Sequence, residues 1–104
     1  MNPCILFLTC EDQKEADKVA EQLLEKKLVS CVKFLPTNSV YRWKGKVEKA
    51  NEILLIIDSV ESKFDGIKTL LEKIHSYETF NLSMVKISKT TDQVLSWMKD
   101  EIIS

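Results

Sequence analysis

Apolar and polar residues follow two rhythms along this chain, and each change of rhythm marks a change of element. Residues 5–8, Ile-Leu-Phe-Leu, form a short apolar run that reads as a strand. Asp12 then offers a helix N-cap, and Glu15 sits three residues on, as in a capping box. Ala16, Val19, Ala20, Leu23, Leu24 and Leu28 fall on one face of the helix that follows. Beyond Leu28, Val32 and Phe34 alternate with Cys31 and Lys33, the mark of a half-buried strand, which Pro36 and Asn38 are expected to interrupt. Residues 40–43 are β-branched and aromatic, Lys44-Gly45 supplies a turn and residues 46–48 return, which predicts a hairpin.

The returning arm runs on to residues 52–58, whose centre, 53–57, is the longest unbroken apolar run in the chain. Ser59 or Ser62 is the expected cap of a second helix with Val60, Phe64, Ile67, Leu70, Leu71 and Ile74 on its apolar stripe. Residues 75–81 read as a loop and 82–88 as a fourth strand. Thr90 or Thr91 caps a last short helix carrying Val94, Leu95, Met98 and Ile102.

The order β-α-β-β-α-β plus a C-terminal helix predicts an α+β, ferredoxin-like sandwich with a long hairpin between its second and third strands. One domain is expected over residues 1–104. In this topology the first and third strands lie in the centre of the sheet, and they are the two that read as continuous apolar runs. Both main helices cover the same sheet face, so about half of those apolar side chains point away from them. Each Leu, Ile or Phe left in water forgoes about 1.5–3 kcal/mol of burial. The C-terminal helix can cover part of that face, and a second copy of the sheet can cover all of it. A closed, symmetric homo-oligomer is therefore expected, with Tyr41 and Trp43 of the hairpin at its interface.

Composition narrows the function classes. Fifteen basic residues balance 16 acidic ones, with no block of like charge, so the basic excess of a nucleic-acid binder is missing. No apolar run approaches a membrane span. Three cysteines, Cys4, Cys10 and Cys31, without a C-x-x-C spacing argue against a disulfide framework or zinc ribbon. Free thiols and the lack of a signal-like N-terminus point to the cytoplasm. A single histidine, no Gly-flanked serine and no Gly-rich phosphate cradle predict a protein that is not an enzyme.

Ser39-Val40-Tyr41-Arg42-Trp43-Lys44-Gly45-Lys46-Val47-Glu48 closely resembles the hairpin signature of the CutA family, the divalent-cation tolerance proteins. Ser30-Cys31-Val32 with Leu35-Pro36, the loop run His75-x-Tyr77-Glu78, and Leu95-Ser96-Trp97 resemble further segments of that family, in the right order. The resemblance covers residues 5 to 100 and implies a ferredoxin-like subunit, a homotrimer with inward-packed sheets, and tolerance of copper and other divalent metal ions. The family loop usually reads His-Pro-Tyr-Glu, one residue, then Pro-Glu; Ser76, Phe80 and Asn81 depart from it here. The loop after Pro36 lacks the family's usual glycine, and Leu8 stands where a cysteine is often found, with Cys10 two residues on.

His75, with Glu78 close by and a thiolate from another element such as Cys31, would form a site for Cu(II) or Zn(II). Each of these residues also has a structural reading. His75 can cap a helix C-terminus, Cys31 can be a small buried residue, and Glu78 can be a salt-bridge partner. Cys10 is expected to be more exposed than Cys4. Two other functions stay open: a signalling trimer that binds a small anion or nucleotide between subunits through Arg42, Lys44 or Lys46, and a structural trimer that organises a protein partner.

Overall fold

A computed structural model describes residues 1–102 of the chain. Residues 103 and 104 of the expected domain lie outside the described residues. The elements run β1 (Pro3–Cys10), α1 (Gln13–Glu25), β2 (Cys31–Trp43), β3 (Lys46–Val60), α2 (Phe64–Ile74), β4 (Leu82–Lys86) and α3 (Asp92–Glu101). The sheet is antiparallel with the order β2-β3-β1-β4, so the two apolar runs do occupy its centre.

Alternation along the central strands sorts their side chains. Cys4, Leu6, Leu8 and Cys10 of β1, with Leu55 and Ile57 of β3, are fully buried beneath Val19 and Leu23 of α1 and Ile67 and Leu71 of α2. Ile5 and Phe7, with Leu54 and Ile56, occupy the opposite, open face and are only half-buried. The third helix covers one end of that face, where Met98 and Ile102 pack on Val60. The middle of the open face therefore stays apolar and uncovered within one chain.

Asp12 caps α1 by accepting from the Glu15 N–H at 2.8 Å. The Glu15 side chain reaches back to the N–H of Glu11, one residue beyond the usual capping-box partner. Thr91 caps α3. Neither Ser59 nor Ser62 caps α2, which is entered through a 3₁₀ turn at Glu61–Lys63. Ser59 is buried instead, and its hydroxyl donates to the Leu28 carbonyl at 2.6 Å. Val60 belongs to the end of β3 and not to the α2 stripe.

Pro36 does not interrupt β2, which pairs with β3 in unbroken register from Cys31 to Trp43. The strand lies at the edge of the sheet, so only one of its sides is hydrogen-bonded and a residue without an N–H is tolerated there. The hairpin closes through Lys44 and Gly45, both at positive φ (49° and 80°), the pattern of a type I′ turn. Its long arms stretch the molecule to 45 × 26 × 21 Å.

Candidate functional site

The loop after α2 wraps the end of β1 and is anchored on both sides of that strand. His75 ends the helix, its backbone N–H donating to the Leu71 carbonyl at 2.9 Å. Its ring turns to β1, where Nε2 lies 2.9 Å from the Thr9 carbonyl oxygen and 3.9 Å from Cys10 Sγ. The Tyr77 backbone N–H donates to Nδ1 at 3.0 Å. A carbonyl only accepts, so Nε2 carries the proton and Nδ1 the lone pair. Phe80 stacks on the ring with centroids 5.3 Å apart.

Glu15 closes the same corner from α1. Its Oε1 accepts from Glu11 at 2.9 Å and its Oε2 from the Ser76 N–H at 2.7 Å. Burial raises the Glu15 pKa, but those N–H bonds and the nearby His75 outweigh it and hold the carboxyl below its ordinary value. Cys10 is fully buried, contrary to the expectation that it is the exposed partner of Cys4. Its even spacing from Cys4 survives in a regular strand and puts both on the helix-covered face. Burial, and then the charges of Glu15, Asp12 and Glu52, push its thiol up to about 12.

One donor atom each from Cys10, Glu15 and His75 lie within 4.8 Å of one another. His75 thus meets a thiol and a carboxylate, but they are Cys10 and Glu15 and not Cys31 and Glu78. Cys31 pairs across the sheet with Asp58, whereas Cys10 pairs with Ile53. Five residues along β3 separate those positions by roughly 17 Å at strand rise. At its own end Cys31 accepts from Lys33 Nζ at 3.6 Å, and the same ammonium pairs with Asp58 at 3.6 Å. Glu78 is exposed, lines a cleft with Tyr41, Trp43 and Glu52, and is not among the converging donors.

Sulfur, imidazole nitrogen and carboxylate oxygen together have the donor chemistry of a copper or zinc site. Every member already has a hydrogen-bonding role, however. A divalent ion has to take the Cys10 proton and draw His75 away from Thr9 and Tyr77, so the residues fit by type and proximity but are held closed.

On the open side of the strand the Tyr77 hydroxyl donates to Glu52 Oε2 at 2.7 Å. Burial, then the bond to Glu52 and its charge, hold this phenol well above its ordinary pKa. Glu52 is 7% exposed. The two residues form one end of a cleft of about 640 Å³ whose walls include Tyr41, Trp43 and Glu78. Tyr41 and Trp43 remain 43% and 40% exposed on the hairpin. Glu52 gave no motif signal in the sequence; a charged residue at the mouth of a long apolar strand is the one clue to it.

The family described as CutA1 divalent ion tolerance protein matches residues 4–101. The chain belongs to the CutA1 family. It is 31% identical over 97 residues to the divalent-cation tolerance protein CutA of Archaeoglobus fulgidus, covering 93% of this chain and 95% of that one. It is 30% identical over 94 residues to human CutA, covering 89% of this chain; it spans about half (52%) of the human protein's length. Among solved structures, CutA from Xylella fastidiosa superposes with a TM-score of 0.94 at 31% identity, over 99% of this chain and 100% of that one. The A. fulgidus structure, described as a periplasmic divalent cation tolerance protein, superposes at 0.93 with 30% identity over 95% and 97% of the two chains. The ferredoxin-like fold expected from the element order is thus the fold of solved CutA1 proteins.

The resemblance described above puts proline at the position of Ser76, and the structure gives that difference a consequence. Proline has no N–H, so the bond from Ser76 to Glu15 exists only because of the substitution.

Proposed function

We propose that the chain is a homotrimeric divalent-cation tolerance protein that binds copper or another divalent ion and performs no catalysis, acting in the cytoplasm. One observation carries the metal-binding part: a thiol, an imidazole and a carboxylate converge at the end of β1. When bound there, the ion supplies only a soft or borderline Lewis-acidic centre. Cys10, Glu15 and His75 hold it once the loop opens. Because the thiol must lose its proton, binding is opposed by acid. The trimer is supported by the half-buried Ile5, Phe7, Leu54 and Ile56, which leave an apolar face uncovered within one chain. Three free thiols support a reducing compartment. Anion or nucleotide binding beside the hairpin is disfavoured by the two carboxylates, Glu52 and Glu78, that line the cleft there.

Light scattering on the purified chain is expected to return three times the 12.0 kDa subunit mass. Calorimetry with Cu(II) and Zn(II) is expected to show binding that Cys10→Ser and His75→Ala weaken at least tenfold and Cys31→Ser leaves alone. No heat of binding, or binding indifferent to Cys10, defeats the metal assignment.

A further inference from the structure

Two of the three donors at the end of β1 are soft, and the third is already engaged. Cys10 Sγ and His75 Nε2 stand 3.9 Å apart. Glu15 commits both carboxylate oxygens to backbone N–H groups, Oε1 to Glu11 at 2.9 Å and Oε2 to Ser76 at 2.7 Å. Among the described residues no fourth histidine, cysteine, aspartate or glutamate joins the three within 4.8 Å. Cys10 is fully buried and Phe80 stacks on the imidazole, so water has few positions from which to complete a coordination shell. Zinc takes four ligands, and Cu(II) a tetragonal set of nitrogen and oxygen donors. Without breaking the Glu15 clasp this corner presents one sulfur and one nitrogen, a set that suits the soft, low-coordinate Cu(I) ion. Charge points the same way. The buried Cys10 thiol is neutral. A monovalent ion that displaces its proton leaves the charge of the corner unchanged. A divalent ion adds one positive charge where water is scarce, which is costly unless Glu15 turns from its N–H donors to balance it.

Building on the metal-binding function proposed for these residues, we propose that Cys10 and His75 form a pair selective for monovalent copper, with Glu15 holding the loop in place and not ligating that ion. Cys10 loses its proton to solvent as its sulfur bonds to the ion. His75 exchanges its Nε2 proton for one on Nδ1, so that Nε2 leaves the Thr9 carbonyl with a free lone pair and the Tyr77 N–H loses its acceptor. Copper enters already reduced, as Cu(I), and no electron is transferred. Ser76 and Glu11 keep their bonds to Glu15 throughout. Both ligands come from one chain, and Cys10 lies in the core on the helix-covered side of the sheet. The pair is therefore complete in each subunit, whatever covers the opposite face.

The test titrates Cu(I) anaerobically against bicinchoninate, a chromogenic Cu(I) chelator, and follows Zn(II) by calorimetry. Both use the full chain carrying Cys31→Ser, which removes the half-exposed competing thiol. One Cu(I) per subunit is expected, bound at least a hundredfold more tightly than Zn(II). Cys10→Ser is expected to abolish Cu(I) binding and His75→Ala to weaken it at least tenfold. Glu15→Gln decides between the ions: it is expected to weaken Zn(II) at least tenfold and to leave Cu(I) within twofold. Ser76→Pro, which frees Oε2 by a different route, is likewise expected to leave Cu(I) unchanged. A Cu(I) affinity that falls together with Zn(II) in Glu15→Gln, or that does not exceed the Zn(II) affinity, overturns the selectivity, while Cys10-dependent Zn(II) binding leaves the metal site standing. Absence of binding by both ions defeats the two together.

Discussion

The Tyr77 hydroxyl donates to Oε2 of Glu52 at 2.7 Å, tying the loop after α2 to the middle of the longest strand. The bond is the one described donor to a nearly buried carboxylate. Tyr77→Phe keeps the ring and removes that donor, so it is expected to destabilise the protein by about 1–3 kcal/mol. Urea unfolding checks this; an unchanged midpoint means that water satisfies Glu52.

Cys10 links stability to alkaline pH. Its thiol is raised from an ordinary 9.0 to about 12, burial being the first cause. The folded state therefore holds a proton that the unfolded chain releases between those values. Stability is whole below about pH 9 and falls as pH rises toward 12. Cys4, raised to about 11, acts in the same direction. Chemical unfolding at pH 8 and 10.5 is expected to show this loss, and Cys10→Ala is expected to reduce its slope.

Glu15 works at the acid end. Its lowered pKa means that the folded state favours the carboxylate. That contribution is present above the ordinary value of 4.5 and disappears as pH falls through the folded value. Glu15→Gln is expected to flatten the acid limb of the stability–pH curve, while an unaltered limb rules out this carboxylate.

Ser76→Pro installs the residue that the resemblance gives at this position. The His75 backbone, at φ −77° and ψ 139°, already has the extended conformation that a following proline requires. The substitution removes the N–H that occupies Glu15 Oε2. The variant is expected to fold, to lose about 0.5–1.5 kcal/mol for the missing bond, and to bind Cu(II) several-fold more tightly because one donor oxygen is released. Weaker copper binding in a folded variant contradicts this role for Glu15.

Ile56→Asp places a charge in the centre of the open face without touching the helix-covered core. It is expected to drop the solution mass to that of the 12.0 kDa chain. A trimer that survives the change is held by some other surface.

The central strands, the amphipathic helices and the hairpin turn were legible because each depends on near neighbours. Side-chain parity, capping by Asp12 and Thr91, and the Lys44-Gly45 turn all act over a few residues. Pro36 misled because its effect depends on whether its strand is an edge, which is a property of the whole sheet. The expected His75 partners missed for a related reason. Glu78 lies three residues away in sequence but outside the group of converging donors, while Cys10 is 65 residues away and 3.9 Å distant.

From the sequence by itself came the element order, the two apolar central strands and the conclusion that one sheet face needs a cover, since periodicity and hydrophobic burial are local or additive. Only tertiary structure decided which thiol meets His75, that Glu15 joins them, and that Glu52 lies buried beside Tyr77. Those pairings depend on strand register and on the path of the 75–81 loop, where a shift of one residue moves a side chain to the other face of the sheet.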